Sequence, residues 1–287
     1  MCAQSQPLSI VGRMLPCARD FERGTLIALK SYFDGSHKGS GDWSTSDIIA
    51  LGGFATDDGT MAQFESDWKI MREDTRKRPH APYVHMKELR SDSHKSPFRA
   101  ELGWNDLLRK QLIQDAFDCI YSVDRSRGRL FFSSKDIRGW VARRKTHPKL
   151  APPMRYCTHF CPHYVMKWFT TDYPEKIVSE AHFVFDQNEP FMDDFRALRD
   201  HMCANEFEIY ANRETWQLIK SIGEADMKLT PALQVADMLA WSQVRQYTVN
   251  KGGFLQELAV QMKDKLPSSW SHWDQSNCHE ARVPYSY

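Results

Sequence analysis

Asp34 follows an apolar run in SYFDGS, Asp186 follows another in HFVFDQN, and Asp237 lies inside TPALQVADMLAW. The first two runs are both rich in aromatic residues and both finish on Asp. If they are neighbouring strands, their carboxylates lie side by side, near the strand ends where open α/β sheets often bind ligands. In a helix over 230–249, Leu233, Asp237, Ala240, Trp241 and Val244 share one face, so one carboxylate sits in a core-facing stripe. A buried ionised Asp is costly unless it is paired or bound to a metal. Adjacent carboxylates repel, and their ionised forms need a cation between them. Hard oxygen donors suit Mg²⁺ or Mn²⁺. Two such ions, about 4 Å apart, clamp a phosphate and ready a water for attack. The competing readings are ordinary: Asp34 as part of an Asp-Gly hairpin turn, and Asp237 paired with an Arg or Lys or capping a neighbouring backbone.

A fourth acid is open between Glu88, at the end of YVHMKEL, and Glu189, one turn beyond Asp186. Each ends an expected strand, which ranks them above Glu65 and Asp226. His85 is a candidate general base or substrate contact beside the acids, against the alternative of a satisfied core histidine. CTHFCPH (157–163) has metal-ligating residue types but no second distant pair, as zinc sites normally require. RKRPH (76–80), RGWVARRKTHPK (138–149) and Lys38 are local basic pieces, and Trp140 and Trp168 are available for stacking on bases. Such runs are also ordinary solvated faces. GSHKGSG lacks the Lys-Ser/Thr ending of a phosphate loop, and neither a nucleophile elbow nor a dinucleotide fingerprint is present.

Positioning these residues requires a sheet with helices. TLIALKSYFD (25–34), DIIALGGFAT (47–56), YVHMKEL (83–89), RGRLFFSSK (127–135) and EAHFVFDQNEPF (180–191) read as strands. Helical spacing marks 60–74, 105–123, 190–205 and 230–249, the last with Thr230 to cap it and Pro231 in its first turn. The interleaving predicts an α/β fold with a mixed sheet flanked by helices. One such domain is expected over 25–250, with a helical insertion near 136–172. A loose leader at 1–24 and a C-terminal extension at 251–287 would flank it.

The 287 residues carry 38 basic and 37 acidic side chains, for a net charge of +1. Any nucleic-acid surface must therefore be local. No apolar run reaches the roughly 18 residues of a membrane span. The seven cysteines are scattered and odd in number, as expected of free thiols in a cytoplasmic protein.

YFDGS followed by LGGFA resembles the opening of ribonuclease H-like nucleases, and a strand Asp, a second strand-end Asp and a late helix Asp follow in the same order. The chain also resembles, over about residues 25–245, a bacterial and phage family called domain of unknown function 3800. In that family a strand opens into Asp-Glu-Ser-Gly, and a late helix reads Leu-Gln-x-Ala-Asp. Here the helix motif is LQVAD, Leu233 to Asp237, and Gly35 replaces the family's Glu, as in ribonuclease H itself. The ribonuclease H helix Glu has no counterpart. The resemblance implies a ribonuclease H-like fold with Asp34, Asp186 and Asp237 as metal ligands. The expected activity is phosphodiester hydrolysis dependent on Mg²⁺ or Mn²⁺, with nucleic acid as substrate. A non-catalytic nucleic-acid- or protein-binding module on the same fold is the alternative, and a structural domain whose acids pair with Arg is a third.

Overall fold

The central strands are apolar almost throughout, so each presents an apolar row to both faces of a sheet. The computed structural model describes residues 25–37, 48–91, 93–125, 129–136, 165, 176–187, 189, 191–204, 216–248, 257, 260–261 and 270–273. Six strands form one sheet: β1 (Thr25–His37), β2 (Ile48–Asp57), β3 (Arg129–Asp136), β4 (Lys176–Asp186), β5 (Ile219–Ala225) and β6 (Trp270–Trp273). Their order is β5-β4-β1-β2-β3-β6. β2 runs antiparallel to β1 and β3, while β4 is parallel to β1 and β5, and β6 is parallel to β3. The fold is α/β, with a mixed sheet flanked by helices.

Leu29 and Phe33 of β1, Ile49 and Leu51 of β2, and Phe183 and Phe185 of β4 form one apolar face. Helix α4 (Phe191–Ala204) covers it with Met192, Phe195 and Leu198, which recur at helical spacing. Phe33 stacks on Phe183 at 5.7 Å and Phe195 packs against both Phe183 and Phe185. Tyr32 and Phe54 point to the opposite face, into a core built by α1 (Asp58–Glu73), the single turn α2 (Met86–Leu89), α3 (Asp106–Arg125) and α5 (Pro231–Thr248). Asp57 caps α1 by accepting from the Thr60 N–H at 2.9 Å. Arg78 is buried and joins α1 to α3, donating to Asp115 at 2.6 Å and to the Met71 carbonyl at 2.8 Å. That member of the basic run RKRPH is a structural tie, not a surface contact.

Helix α5 is buried almost all round, from Ala232 to Ala240 and again at Ser242–Val244. It lies directly on β2, because Gly52 offers no side chain. A Cβ there would stand 2.1 Å from the Ala236 carbonyl oxygen and 2.6 Å from the Ala240 nitrogen.

Three expectations are corrected. β1 does not end at Asp34 but runs on to His37, so Asp34 is a strand residue paired with Gly52 rather than a turn residue. YVHMKEL is not a strand. The N–H groups of Val84 and Met86 are taken by side chains of α5 instead of a neighbouring strand, and Met86–Leu89 coil into one helical turn. Glu88 accordingly sits on that turn. β5 (IKSIGEA) and β6 (WSHW) are strands that no alternating pattern announces. The 1–24 leader, the basic piece at 138–149, CTHFCPH, Lys38, Trp140 and Trp168 lie outside the described residues, as does most of the 136–172 insertion and of the 251–287 extension.

Gly52→Ala should lower stability by about 3 kcal/mol or more, because the clash is with backbone that cannot rotate away. Gly223→Ala, where nothing lies within 4 Å of the added carbon, should stay within about 0.5 kcal/mol. Urea unfolding of the two variants checks the contrast.

Candidate functional site

Register brings the first two acids together. Phe33 pairs with Phe185 in the parallel β1–β4 ladder, so the next residues, Asp34 and Asp186, stand level on adjacent strands with their side chains on one face. Asp34 is also the β-partner of Gly52, the residue on which α5 rests. The close approach of α5 sets Asp237 against the same point. Glu189 arrives from the turn after β4, where its N–H donates to the Asp186 carbonyl at 3.2 Å.

The electrostatics report this convergence. Burial, then the charges of Asp237, Glu189 and Asp186, hold the Asp34 carboxyl well above the usual range, and the Gly35 N–H opposes them from 2.8 Å. Burial and then Asp186 push Glu189 up to about 8, again opposed by Gly35. Asp237 is raised by burial, against His85 and the Met86 N–H, which donates to it at 2.8 Å. Asp186 is raised by burial too, against the N–H groups of Met227, at 3.0 Å, and Gln187. Asp34 and Asp237 are each only 7% exposed. Among the described residues, no Lys or Arg pairs with any of the four, and the buried Oε2 of Glu189 has no hydrogen-bond partner. The reading in which the acids are structural and paired with Arg therefore has no support at these positions.

Glu88 belongs to a separate cluster on the rim. It accepts from the Tyr83 hydroxyl and lies 3.5 Å from His85 Nδ1 and 3.8 Å from Lys228 Nζ. Lys228 also stands over the Tyr83 ring at 5.1 Å. Burial and the bond to Glu88 push the Tyr83 phenol well up. His85 bridges the two clusters, since its ring also acts on Asp237 and Asp186. Of the two candidates for a fourth acid, Glu189 stands against Asp34 and Asp186, while Glu88 reaches Asp237 from the rim. Tyr83 and Lys228 escaped the sequence reading because neither carries a motif and they come from distant segments.

The glutamine of LQVAD has a definite task. Gln234 is fully buried and accepts from Trp68 Nε1 and from the Val84 N–H, each at 2.9 Å, while its amide donates to the Met227 carbonyl at 3.0 Å. One side chain thus ties α1, the segment entering α2 and the turn before α5 to the helix that carries Asp237. A buried polar residue three positions before the Asp was the available signal.

All four central donors are carboxylate oxygens, the chemistry that suits Mg²⁺ or Mn²⁺. Among the described residues, no three or more His, Cys, Asp or Glu groups stand together as a ready-made set for a metal ion. No helix among them is long and apolar enough to cross a membrane. In comparison with known proteins, the chain matches no family model, no curated protein and no solved structure.

An acid whose pKa is higher folded than unfolded holds its proton more tightly in the native state, so stability falls as pH rises between the two values. For Glu189 that window runs from 4.5 to about 8. Without metal, the melting temperature should therefore fall from pH 4.5 to pH 8. Glu189→Gln should flatten the fall and raise the pH 8 value by about 2–4 °C per kcal/mol recovered. Calorimetry across the range reads both.

Gln234→Leu leaves two buried donors and one carbonyl without partners. It should cost about 3–5 kcal/mol, read by urea unfolding, and a loss under about 1 kcal/mol would remove the tie described for it.

Proposed function

We propose that the protein is a divalent-metal-dependent phosphodiester hydrolase, a nuclease acting on nucleic acid. The observation that carries this reading is the set of four carboxylates, Asp34, Asp186, Glu189 and Asp237, all held above the usual carboxylate range by burial, with no Lys or Arg among the described residues to neutralise them. Backbone N–H groups fix three of them, yet a buried charge is normally paired or bound to a metal. Acids placed in this way form a site short of positive charge. Mg²⁺ or Mn²⁺ would be held by Asp34, Asp186 and Asp237 with Glu189 completing the set. Once bound, such ions polarise a phosphoryl oxygen and lower the pKa of a water.

The remaining residues do what the chain itself can do. Gly35 donates its N–H to Asp34 and opposes the rise of Glu189. His85 lies between the acids and Glu88, where it can carry a proton to or from a reacting oxygen. Lys228, half exposed beside Tyr83, is placed to meet an anionic substrate at the rim. The resemblance to ribonuclease H-like nucleases in YFDGS and LQVAD supports the same reading, as does the mixed α/β sheet flanked by helices. A non-catalytic nucleic-acid- or protein-binding module remains the second reading; it requires the carboxylate cluster to have no metal.

Mg²⁺ or Mn²⁺ at a hundredfold excess over its dissociation constant should stabilise the wild type by about 2.7 kcal/mol. Asp34→Asn and Asp237→Asn should each abolish most of that gain. They should also cut cleavage of single-stranded, duplex or hybrid nucleic acid by about 10²-fold or more, the scale of losing one group that stabilises a transition state. Metal-dependent stabilisation that survives both substitutions would remove the metal site, and a wild type that cleaves none of the three substrates would favour the binding module.

A further inference from the structure

Arg90 and Arg245 converge on one indole. The guanidinium carbon of each lies 5.9 Å from the centroid of the Trp241 ring. Arg90 is exposed just after α2, while Trp241 and Arg245 are half-buried on α5. Other arginines of the fold face carboxylates: Arg78 meets Asp115 at 2.6 Å, Arg76 meets Asp74 at 2.9 Å, and Arg196 and Arg199 meet Asp193 and Asp200 at 3.2 Å. Among the described residues, Arg90 and Arg245 have no such partner, and Arg245 Nε is buried without a hydrogen bond. Burial, and then the charge of Arg90, lower the pKa of Arg245. Two like charges are thus gathered by one aromatic ring, with no carboxylate of the described residues paired to either.

The chemistry of this arrangement is selective. A guanidinium laid against an indole keeps its planar fork of donors, which matches a phosphate better than an ammonium does. The position is equally specific. Trp241 lies one turn beyond Asp237 on α5 and Arg245 lies two turns beyond it. At 1.5 Å per residue they are about 6 and 12 Å along the helix from the carboxylates. A nucleic-acid strand advances about 3.4 Å per nucleotide, so the arginines lie about two to four nucleotides from the acids. Arg90 reaches the same ring from α2, the turn whose Met86 N–H holds Asp237.

We propose that Arg90 and Arg245, gathered on Trp241, form a phosphate subsite that holds the backbone of a nucleic-acid strand whose scissile bond lies at the carboxylate cluster. The subsite rests on the nuclease reading for its place beside a scissile bond, but its binding can be measured without cleavage. Fluorescence anisotropy of a labelled oligothymidylate in EDTA is the assay, with cleavage in Mg²⁺ or Mn²⁺ followed in parallel. Arg90→Gln with Arg245→Gln should weaken binding by about tenfold or more and reduce the slope of log K against log salt by about 1.4, as expected for two lost phosphate contacts on a single strand. Lys at both positions should restore only part of the affinity. Arg196→Ala, which removes an exposed charge on α4 at the other face of the sheet, should have no such effect. If the double variant melts early, the exposed Arg90→Gln alone carries the test.

The subsite is overturned if the wild type does not bind the oligonucleotide, if the double variant binds no worse than Arg196→Ala, or if polyglutamate of equal charge competes equally well. Arginine-dependent binding with neither cleavage nor a metal response would keep the subsite and remove the hydrolase reading.

Discussion

Helix α5 touches β2 at backbone distance, and the arrangement of the rest of the molecule follows from that contact. A side chain at Gly52 would meet the Ala236 carbonyl, so the approach is possible only because the residue is glycine. The contact makes α5 a core helix, buried on the sheet side by Ala236 and Ala240 and on the other side by the core of α1, α2 and α3. It also sets the height of Asp237 above the sheet, next to the strand residue Asp34 that pairs with Gly52. Packing and site are therefore one problem here: whatever lifts α5 off the sheet also separates the carboxylates.

Gln234 solves a second part of that problem. In the segment from Tyr83 to Met86, its amide oxygen takes the Val84 N–H that would otherwise pair in a sheet, as Asp237 takes that of Met86. That segment is then free to bend into α2 and bring His85 and Glu88 to the rim of the site. The polar atoms at the centre of this core are costly to bury unless satisfied, and Gln234 satisfies three groups from three elements. The acids are handled in the opposite way. Their hydrogen bonds come from Gly35, Met86 and Met227, which fix where the oxygens point. Among the described residues, no Lys or Arg pairs with them, and His85 alone opposes the charge of Asp237 and Asp186.

The two faces of α5 beyond Asp237 extend this contrast in sign. Within two turns the helix passes from a cluster short of positive charge to a ring that gathers two arginines short of negative charge. A phosphodiester strand is one kind of molecule that suits both, since it carries anionic groups at regular spacing and takes cations at its phosphates.

Much of this was legible along the chain. Continuous apolar runs and period-3.6 patterns showed the central strands and the long helices, and the lone acid in the apolar stripe of LQVAD marked Asp237. Asp34 and Asp186 stood out because two aromatic runs both end on Asp. The tertiary structure decided the rest. It put YVHMKEL into a bend, since its backbone donors are claimed by Gln234 and Asp237 from roughly 150 residues away. It set Glu189 against Asp34 and Asp186 and put Glu88 on the rim with Tyr83, His85 and Lys228, from where its charge reaches Asp237. It added β5 and β6, edge strands whose pairing comes from a neighbour's open hydrogen bonds rather than from their own pattern. Residue types and local spacing determined which groups could do chemistry. Which of them meet was decided by sheet register and by one glycine-sized gap, because a carboxylate is perturbed only by charges that folding brings within a few ångströms.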